Sequence, residues 1–242
     1  MGFYQEISKY YDYIFPVSNE IVDFIGRTAG NPPKSILDVA CGTGGYSIEL
    51  ADKGYEVTAV DLDREMIESL NAKKNSKVKF FQGDMLRLKD KLNPRSFDTI
   101  FCIGNSLVHL DNLSHIGNFF ADSKGILKED GSLIIQTINY DRVISKEVKS
   151  LPTIYNNDIG LLFERVYRYD KEANKVYFKT VLTVGNNKIQ NEIPLHPLLF
   201  SETQKILMDA GFKKIDFYGD FKNNIYEKDN SYMLIIHAKL FA

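Results

Sequence analysis

Apolar residues occur along this chain in short continuous bursts separated by stretches with helical spacing. Ile36-Leu37-Asp38-Val39 is one burst; it runs into Ala40-Cys41-Gly42-Thr43-Gly44-Gly45, and Tyr46 to Leu50 then begins a helical pattern. The run predicts a buried strand, the glycines a turn where backbone can approach a ligand closely, and the remainder a helix. The next burst, Glu56-Val57-Thr58-Ala59-Val60, ends in Asp61. Strand and helix signals keep alternating from Ser35 to about Ile138, as a parallel sheet with helices on both faces demands.

The flanking segments break this rhythm. Residues from about Phe3 to Ile25 read as an amphipathic helix interrupted near Pro16, with tyrosines at 4, 10, 11 and 13. The alternation stops at Leu151. From Gly160 onward, β-branched and tyrosine-rich runs at 161–170, 175–184 and 188–193 lie between turn signals, which predicts an antiparallel three-stranded meander. Helical periodicity returns at Ser201, whose hydroxyl with Gln204 makes a capping box, and ends at Gly211. Strands at 213–218 and 232–240 complete the sheet, so the meander is an insertion between the fifth strand and the last helix.

A glycine-rich turn with an acid about twenty residues further on suits a nucleotide-like ligand, the acid gripping a ribose diol. Charge distinguishes the ligands. A dinucleotide would bring its pyrophosphate to the helix N-terminus, close to Asp38, whereas S-adenosylmethionine carries a sulfonium and an ammonium that favour an acid there. The turn also lacks the third glycine of G-x-G-x-x-G, because Ser47 stands at that place.

These residues resemble the class I S-adenosylmethionine-dependent methyltransferases. Asp38-x-Ala40-Cys41-Gly42-Thr43-Gly44 is similar to their first motif, Phe80-Phe81-Gln82-Gly83-Asp84-Met85 to their third-strand motif, and 97–106 to the fourth strand and the loop facing substrate. The resemblance implies an α/β fold: a Rossmann-like seven-stranded sheet with helices on both faces and an inserted antiparallel β meander. It implies a helical lid over residues 1–30, a cofactor domain over 31–149 and 196–242, and a substrate cap over 150–195. The cofactor residues it implies are Tyr11, Asp38, Ala40, Gly42, Gly44, Asp61, Leu62, Asp84, Met85 and Ile103, the ribose falling on Asp61 and the adenine among Leu62, Asp84 and Met85.

Within that class the chain is most similar to the glycine/sarcosine N-methyltransferase group, through Gly104-Asn105-Ser106-Leu107-Val108-His109-Leu110, Asn139-Tyr140-Asp141 and Gly219-Asp220-Phe221-Lys222. The insertion and tyrosine-rich N-terminus equally resemble sugar N,N-dimethyltransferases. The group's carboxylate-clamping arginine, two positions before the tyrosine of Asn-Tyr-Asp, is Ile138 here, and His196 replaces one of its tyrosines. A buried carboxylate needs a charge-assisted partner. The expected acceptor is therefore a less acidic, partly apolar amine or alcohol rather than glycine, unless Arg142 or Arg165 supplies the missing charge. Asn105 is expected near the transferable methyl, with His109 and His196 as the bases to test if a proton must leave.

Composition narrows the partners. With 30 basic and 32 acidic residues the net charge is -2, which supplies no phosphate-tracking surface, so no nucleic acid is expected. The histidines at 109, 115, 196 and 237 show no metal-ligand spacing, and Cys41 and Cys102 read as free thiols. No secretory segment and no membrane-length apolar run point to a cytoplasmic monomer or homodimer. Three other readings remain beside the small-molecule enzyme: a nucleic-acid or protein methyltransferase, a non-catalytic S-adenosylmethionine-binding protein, and a nicotinamide dehydrogenase. Against the first, Asn31-Pro32-Pro33 lies before the first strand, and Gly104-Asn105-Ser106 occupies the place where DNA amino-methylating enzymes carry Asn-Pro-Pro-Tyr.

Overall fold

A computed structural model of the chain describes residues 7–241; the expected helix start at Phe3, with Tyr4, lies outside them. Among the described residues, eleven strands form two sheets. In the first, β1 (Ser35–Val39), β2 (Glu56–Asp61), β3 (Val78–Gln82), β4 (Phe97–Cys102), β5 (Leu127–Ile138), β10 (Lys214–Tyr218) and β11 (Met233–Lys239) stand in the order β10-β11-β5-β4-β1-β2-β3. Pairing is parallel from β3 to β5, and β11 runs antiparallel to both its neighbours. The central strands are covered on both faces, which is why they read as continuous apolar bursts; Ile36, Leu37, Ile100, Phe101, Leu133 and Ile134 are all fully buried.

Helices Asn19–Ala29, Gly45–Asp52, Arg64–Ala72, Leu113–Ile126 and Phe200–Ala210 pack around this sheet. Strand order reverses between β1 and β4, so the crevice beyond their carboxyl ends is where such a sheet receives a ligand.

The inserted sheet has four strands, β6 (Ser150–Asn156), β7 (Leu161–Asp170), β8 (Lys175–Val184) and β9 (Asn187–Leu195), in sequential antiparallel order. The expected three-stranded meander is corrected by β6. That strand hides from a pattern reading because it carries Pro152 and an irregular register between Leu151 and Ile154, features confined to edge strands.

The last helix also starts differently. Its N-cap is Leu199, whose backbone N–H donates to Glu202 Oε2 at 3.1 Å, so Glu202 rather than the Ser201–Gln204 pair satisfies the exposed donor. The predicted stop stands, with Gly211 in the left-handed region at φ 99°.

At the N-terminal end, turns Ser8–Tyr10 and Tyr11–Ile14 are separated from helix Asn19–Ala29 by an extended break that includes Pro16. Ile7 and Ile14 pack with Met66 of helix Arg64–Ala72 and with Leu161, Phe163 and Leu182 of the inserted sheet. This small core ties the N-terminal segment to that helix and to the inserted sheet, and Phe15 meets Phe163 edge-on at 5.9 Å.

Candidate active site

A cavity of about 570 Å³ opens beyond the carboxyl ends of β1 and β4, between the large sheet, the N-terminal segment and the inserted sheet. Its floor is the glycine-rich turn. Asp61 holds that turn with both carboxylate oxygens, accepting from Gly42 N at 2.8 Å and from Asp63 N at 2.9 Å. Gly42 has φ 56°, and a Cβ built on it would lie 3.0 Å from the Tyr11 ring, so its lack of a side chain lets Tyr11 close over the turn. Gly44 serves a different purpose. It stands outside the cavity lining at φ 74°, and a Cβ there would sit 2.3 Å from Leu70 Cδ1, so close helix packing accounts for the glycine at this position.

Asp38 is buried at the end of β1 and accepts a 2.6 Å hydrogen bond from Ser47 Oγ. The residue standing where a dinucleotide site would have its third glycine is thus the partner of the site's acid, a role the sequence reading missed. Burial, with the neighbouring Asp61, pushes the Asp38 carboxyl up to about 7 despite that bond. Burial also raises Asp61. Asp84 accepts from Leu86 N at 2.9 Å, and Leu62, Met85, Ala40 and Ile103 also line the cavity.

The opposite end is built by β4, β5 and the insertion. Gly104 N donates to Gln136 Oε1 at 2.7 Å, while Asn105 Oδ1 accepts from Ile138 N at 2.9 Å and Asn105 Nδ2 donates to the Tyr140 hydroxyl at 3.0 Å. Asn105 lines the cavity, and its amide braces β5. His109 lines the cavity too, and burial lowers its imidazole to about 4. His196 does not line it: this buried residue donates its backbone N–H to Val108 O at 2.9 Å, pinning the end of the insertion to the turn at Ser106–His109. The His196 side chain, expected as a candidate base, is thus not among the groups that line the cavity.

Arg165 and Tyr167 of β7 reach this end, whereas Arg142 lies outside the lining with its guanidinium 5.6 Å above the Tyr232 ring. Asn139 is buried at the start of helix Tyr140–Ser145, where Nδ2 donates to Lys228 O and Ser231 O at 2.9 Å each and Oδ1 accepts from the Tyr226 hydroxyl at 2.8 Å. That clamp fixes the loop delivering Tyr232 to the cavity.

Charge is divided across the cavity. Asp12, Asp38, Asp61, Asp63 and Asp84 line it toward the glycine turn, and Arg165 is its one Lys or Arg among the described residues. A buried acid held near neutrality is relieved by a cationic ligand and worsened by a phosphate, so the donor set fits a sulfonium and an ammonium.

Comparison with known proteins agrees. A methyltransferase-domain family model matches residues 36–131. A putative methyltransferase of Geobacillus sp. (strain WCH70) is 41% identical over 218 residues, 85% of each chain. The chain belongs to the S-adenosylmethionine-dependent methyltransferases. S-adenosylmethionine is its cofactor. A glycine/sarcosine N-methyltransferase of Aphanothece halophytica is 28% identical over 241 residues, covering 98% of this chain and 88% of that protein. The fold also matches that of a methyltransferase from Clostridium acetobutylicum, with TM-score 0.81 and 20% identity over 100% of both chains. No helix among the described residues is long and apolar enough to cross a membrane.

Proposed function

We propose that this methyltransferase methylates the nitrogen of a small-molecule amine held beneath the inserted sheet. The observation that carries the reading is the protonation chemistry of the acceptor end. His109 is held at about 4 by burial, and burial drives the Tyr140 and Tyr167 hydroxyls upward, so none of these groups is poised near neutrality to take a proton from an alcohol. An amine that enters as the free base, its proton already given up to solvent, needs no such base. The named activity of the Aphanothece relative, methylation of glycine and sarcosine, supports nitrogen as the acceptor atom.

Bound at the acidic end, the cofactor supplies an electrophilic methyl group, the amine lone pair forming the new N–C bond while the C–S pair stays on sulfur. The residues that would hold it are Asp61 for the ribose, Leu62, Asp84 and Met85 for the adenine, and Ala40, Gly42, Ile103 and Asp38 for the methionine end. The N-terminal segment acts as a lid: Asp12 accepts from the Thr43 hydroxyl and pairs with Lys73 at 2.8 Å, latching Tyr11 over the glycine turn. Its closing excludes water, and the Asn105–Tyr140–Gln136 bracket fixes the floor on which the amine is aligned, catalysis by orientation.

Methyl-labelled S-adenosylmethionine offered to matched amines, alcohols, peptides and oligonucleotides tests this. Label on small amines alone is expected. Label on alcohols or macromolecules, or binding without any transfer, overturns the reading.

A further inference from the structure

The inner face of the inserted sheet carries polar atoms that nothing in the protein satisfies. Along β7 the buried side chains Leu161, Phe163 and Tyr167 follow a period of two, and Arg165 stands in phase with them. A guanidinium therefore occupies a row of apolar positions. Its Nη2 donates to Pro152 O at 2.6 Å, its only hydrogen bond among the described residues, and its Nε is buried without a partner. Directly across the ladder, on the same face, is Thr180, with a buried and unpartnered Oγ1. The next inward residue, Tyr167, is 3% exposed and lines the cavity, its hydroxyl interacting with that of Tyr140.

A buried donor without an acceptor is costly, so two facing each other across one ladder are unfavourable unless a ligand completes them. The missing partner is an acceptor of negative charge. One planar cation with no second Lys or Arg in the lining matches a monoanion, and a guanidinium fork matches a carboxylate. Leu151, Phe163, Phe178 and Ile138 surround it with apolar surface.

We propose that Arg165, with Tyr167, receives a carboxylate of the methyl acceptor, so that the acceptor is an amino acid with an apolar side group rather than a neutral amine or an amino sugar. The inference rests on the small-amine reading above and places the anion on the inserted sheet, opposite Ile138. With Ile138 on the floor, recognition of the carboxylate passes to the roof.

Calorimetric titration of the protein saturated with S-adenosylhomocysteine, using isovalerate and its neutral isostere isovaleramide, reads anion recognition without turnover. The wild-type protein should bind the acid about 10- to 100-fold more tightly than the amide, the range of one charge-assisted hydrogen bond. Arg165→Gln should abolish that ratio and leave S-adenosylhomocysteine affinity unchanged, which also reports an intact fold; Arg165→Lys should keep part of the ratio. Equal binding of acid and amide, no binding of either, or a ratio retained in Arg165→Gln overturns the proposal. A fall in S-adenosylhomocysteine affinity in both variants, with the ratio intact, would assign the guanidinium to the cofactor's carboxylate instead. The acid-to-amide ratio is blind to the methylated atom, so its failure and a failure of label transfer to amines are separate results.

Discussion

Replacing Asp38 with Asn keeps a planar side chain that can accept from Ser47 and removes only the ionisable proton. Burial lifts this carboxyl from its ordinary 3.8 to about 7. That displacement corresponds to about 4 kcal/mol against the ionised form. Relaxation of side chains and water reduces such figures, and about 2 kcal/mol is the workable magnitude. The folded protein without ligand prefers the protonated acid, so Asp38 subtracts stability as pH rises from about 4 to about 7, the window in which the unfolded chain has already released its proton. A cationic ligand needs the ionised form. Cofactor affinity should therefore climb with pH up to about 7 and level off above it.

Asp61, Cys41, Cys102 and Tyr46 are electrostatically coupled to Asp38, and Asp61 is itself raised, so the informative quantity is the difference between wild type and variant. At a pH near 8, Asp38→Asn should weaken S-adenosylmethionine about 30-fold, the equivalent of 2 kcal/mol. It should lose the rise in affinity between about pH 5.5 and 7, and melt at a higher temperature than wild type near pH 8. S-adenosylhomocysteine, which lacks the sulfonium charge, should suffer less. Calorimetry in two buffers of different ionisation enthalpy measures affinity and proton release together. An Asp38→Asn protein with wild-type affinity, or with the wild-type pH slope, would show that the acid does not recognise the cation.

Asp61→Ala should cost more than a ligand contact, because it strands the N–H groups of Gly42 and Asp63; a loss of cofactor affinity of 100-fold or more with a lowered Tm is expected, and unchanged binding in a folded variant refutes the ribose assignment. The two turn glycines should separate cleanly: Gly44→Ala should destabilise by about 1–3 kcal/mol through Leu70 and the left-handed backbone, whereas Gly42→Ala, by displacing Tyr11, should weaken cofactor binding more than it lowers Tm. Deleting residues 1–18 should abolish turnover and weaken binding while the large sheet stays folded, as read by activity, calorimetry and circular dichroism; full activity in the truncated protein rules out a lid. His109 is held at about 4, below its ordinary 6.5, so it stays neutral through the physiological range and adds stability that is lost as pH falls from about 6.5 to 4; His109→Asn should leave the position of the kcat pH profile above pH 6 unmoved, and a shifted profile would make it a base.

The large sheet was legible because strands buried on both faces must be apolar throughout, and because the Gly42–Asp61 separation is set by one helix and one strand. Chemistry at the acidic end followed from the sign of Asp38. What stayed hidden depended on tertiary register. β6 carries a proline and an irregular ladder, which erase a period of two. Ser47 became meaningful only once the first helical turn set its hydroxyl against Asp38. His196 and Gly44 look like site residues in the linear order, yet one pins a strand end and the other admits a leucine. Arg165 did leave a signal: in Leu161-Leu162-Phe163-Glu164-Arg165-Val166-Tyr167 the charge falls on the inward phase, where a strand with only a structural purpose would carry another apolar residue.

Methyl transfer to an amine asks a protein for alignment more than for proton movement, and the polar groups of this cavity are distributed to match. On the floor the amide functions are spoken for: Asn105 is bound to Ile138 N and the Tyr140 hydroxyl, and Gln136 holds Gly104 N. Such groups cannot turn toward a substrate without breaking the end of β5, so they hold geometry rather than choose a ligand. On the roof the reverse is true, with the Arg165 Nε and the Thr180 Oγ1 both buried and unpartnered. Under the proposed reading, a rigid floor with a receptive roof would let substitutions on β7 and β8 change which acceptor is held while the cofactor and its line of approach stay fixed. For the proposed amino-acid acceptor, the carboxylates at one end and the guanidinium at the other would also oppose reversed docking, which would bring its carboxylate to Asp38 and its amino group to Arg165.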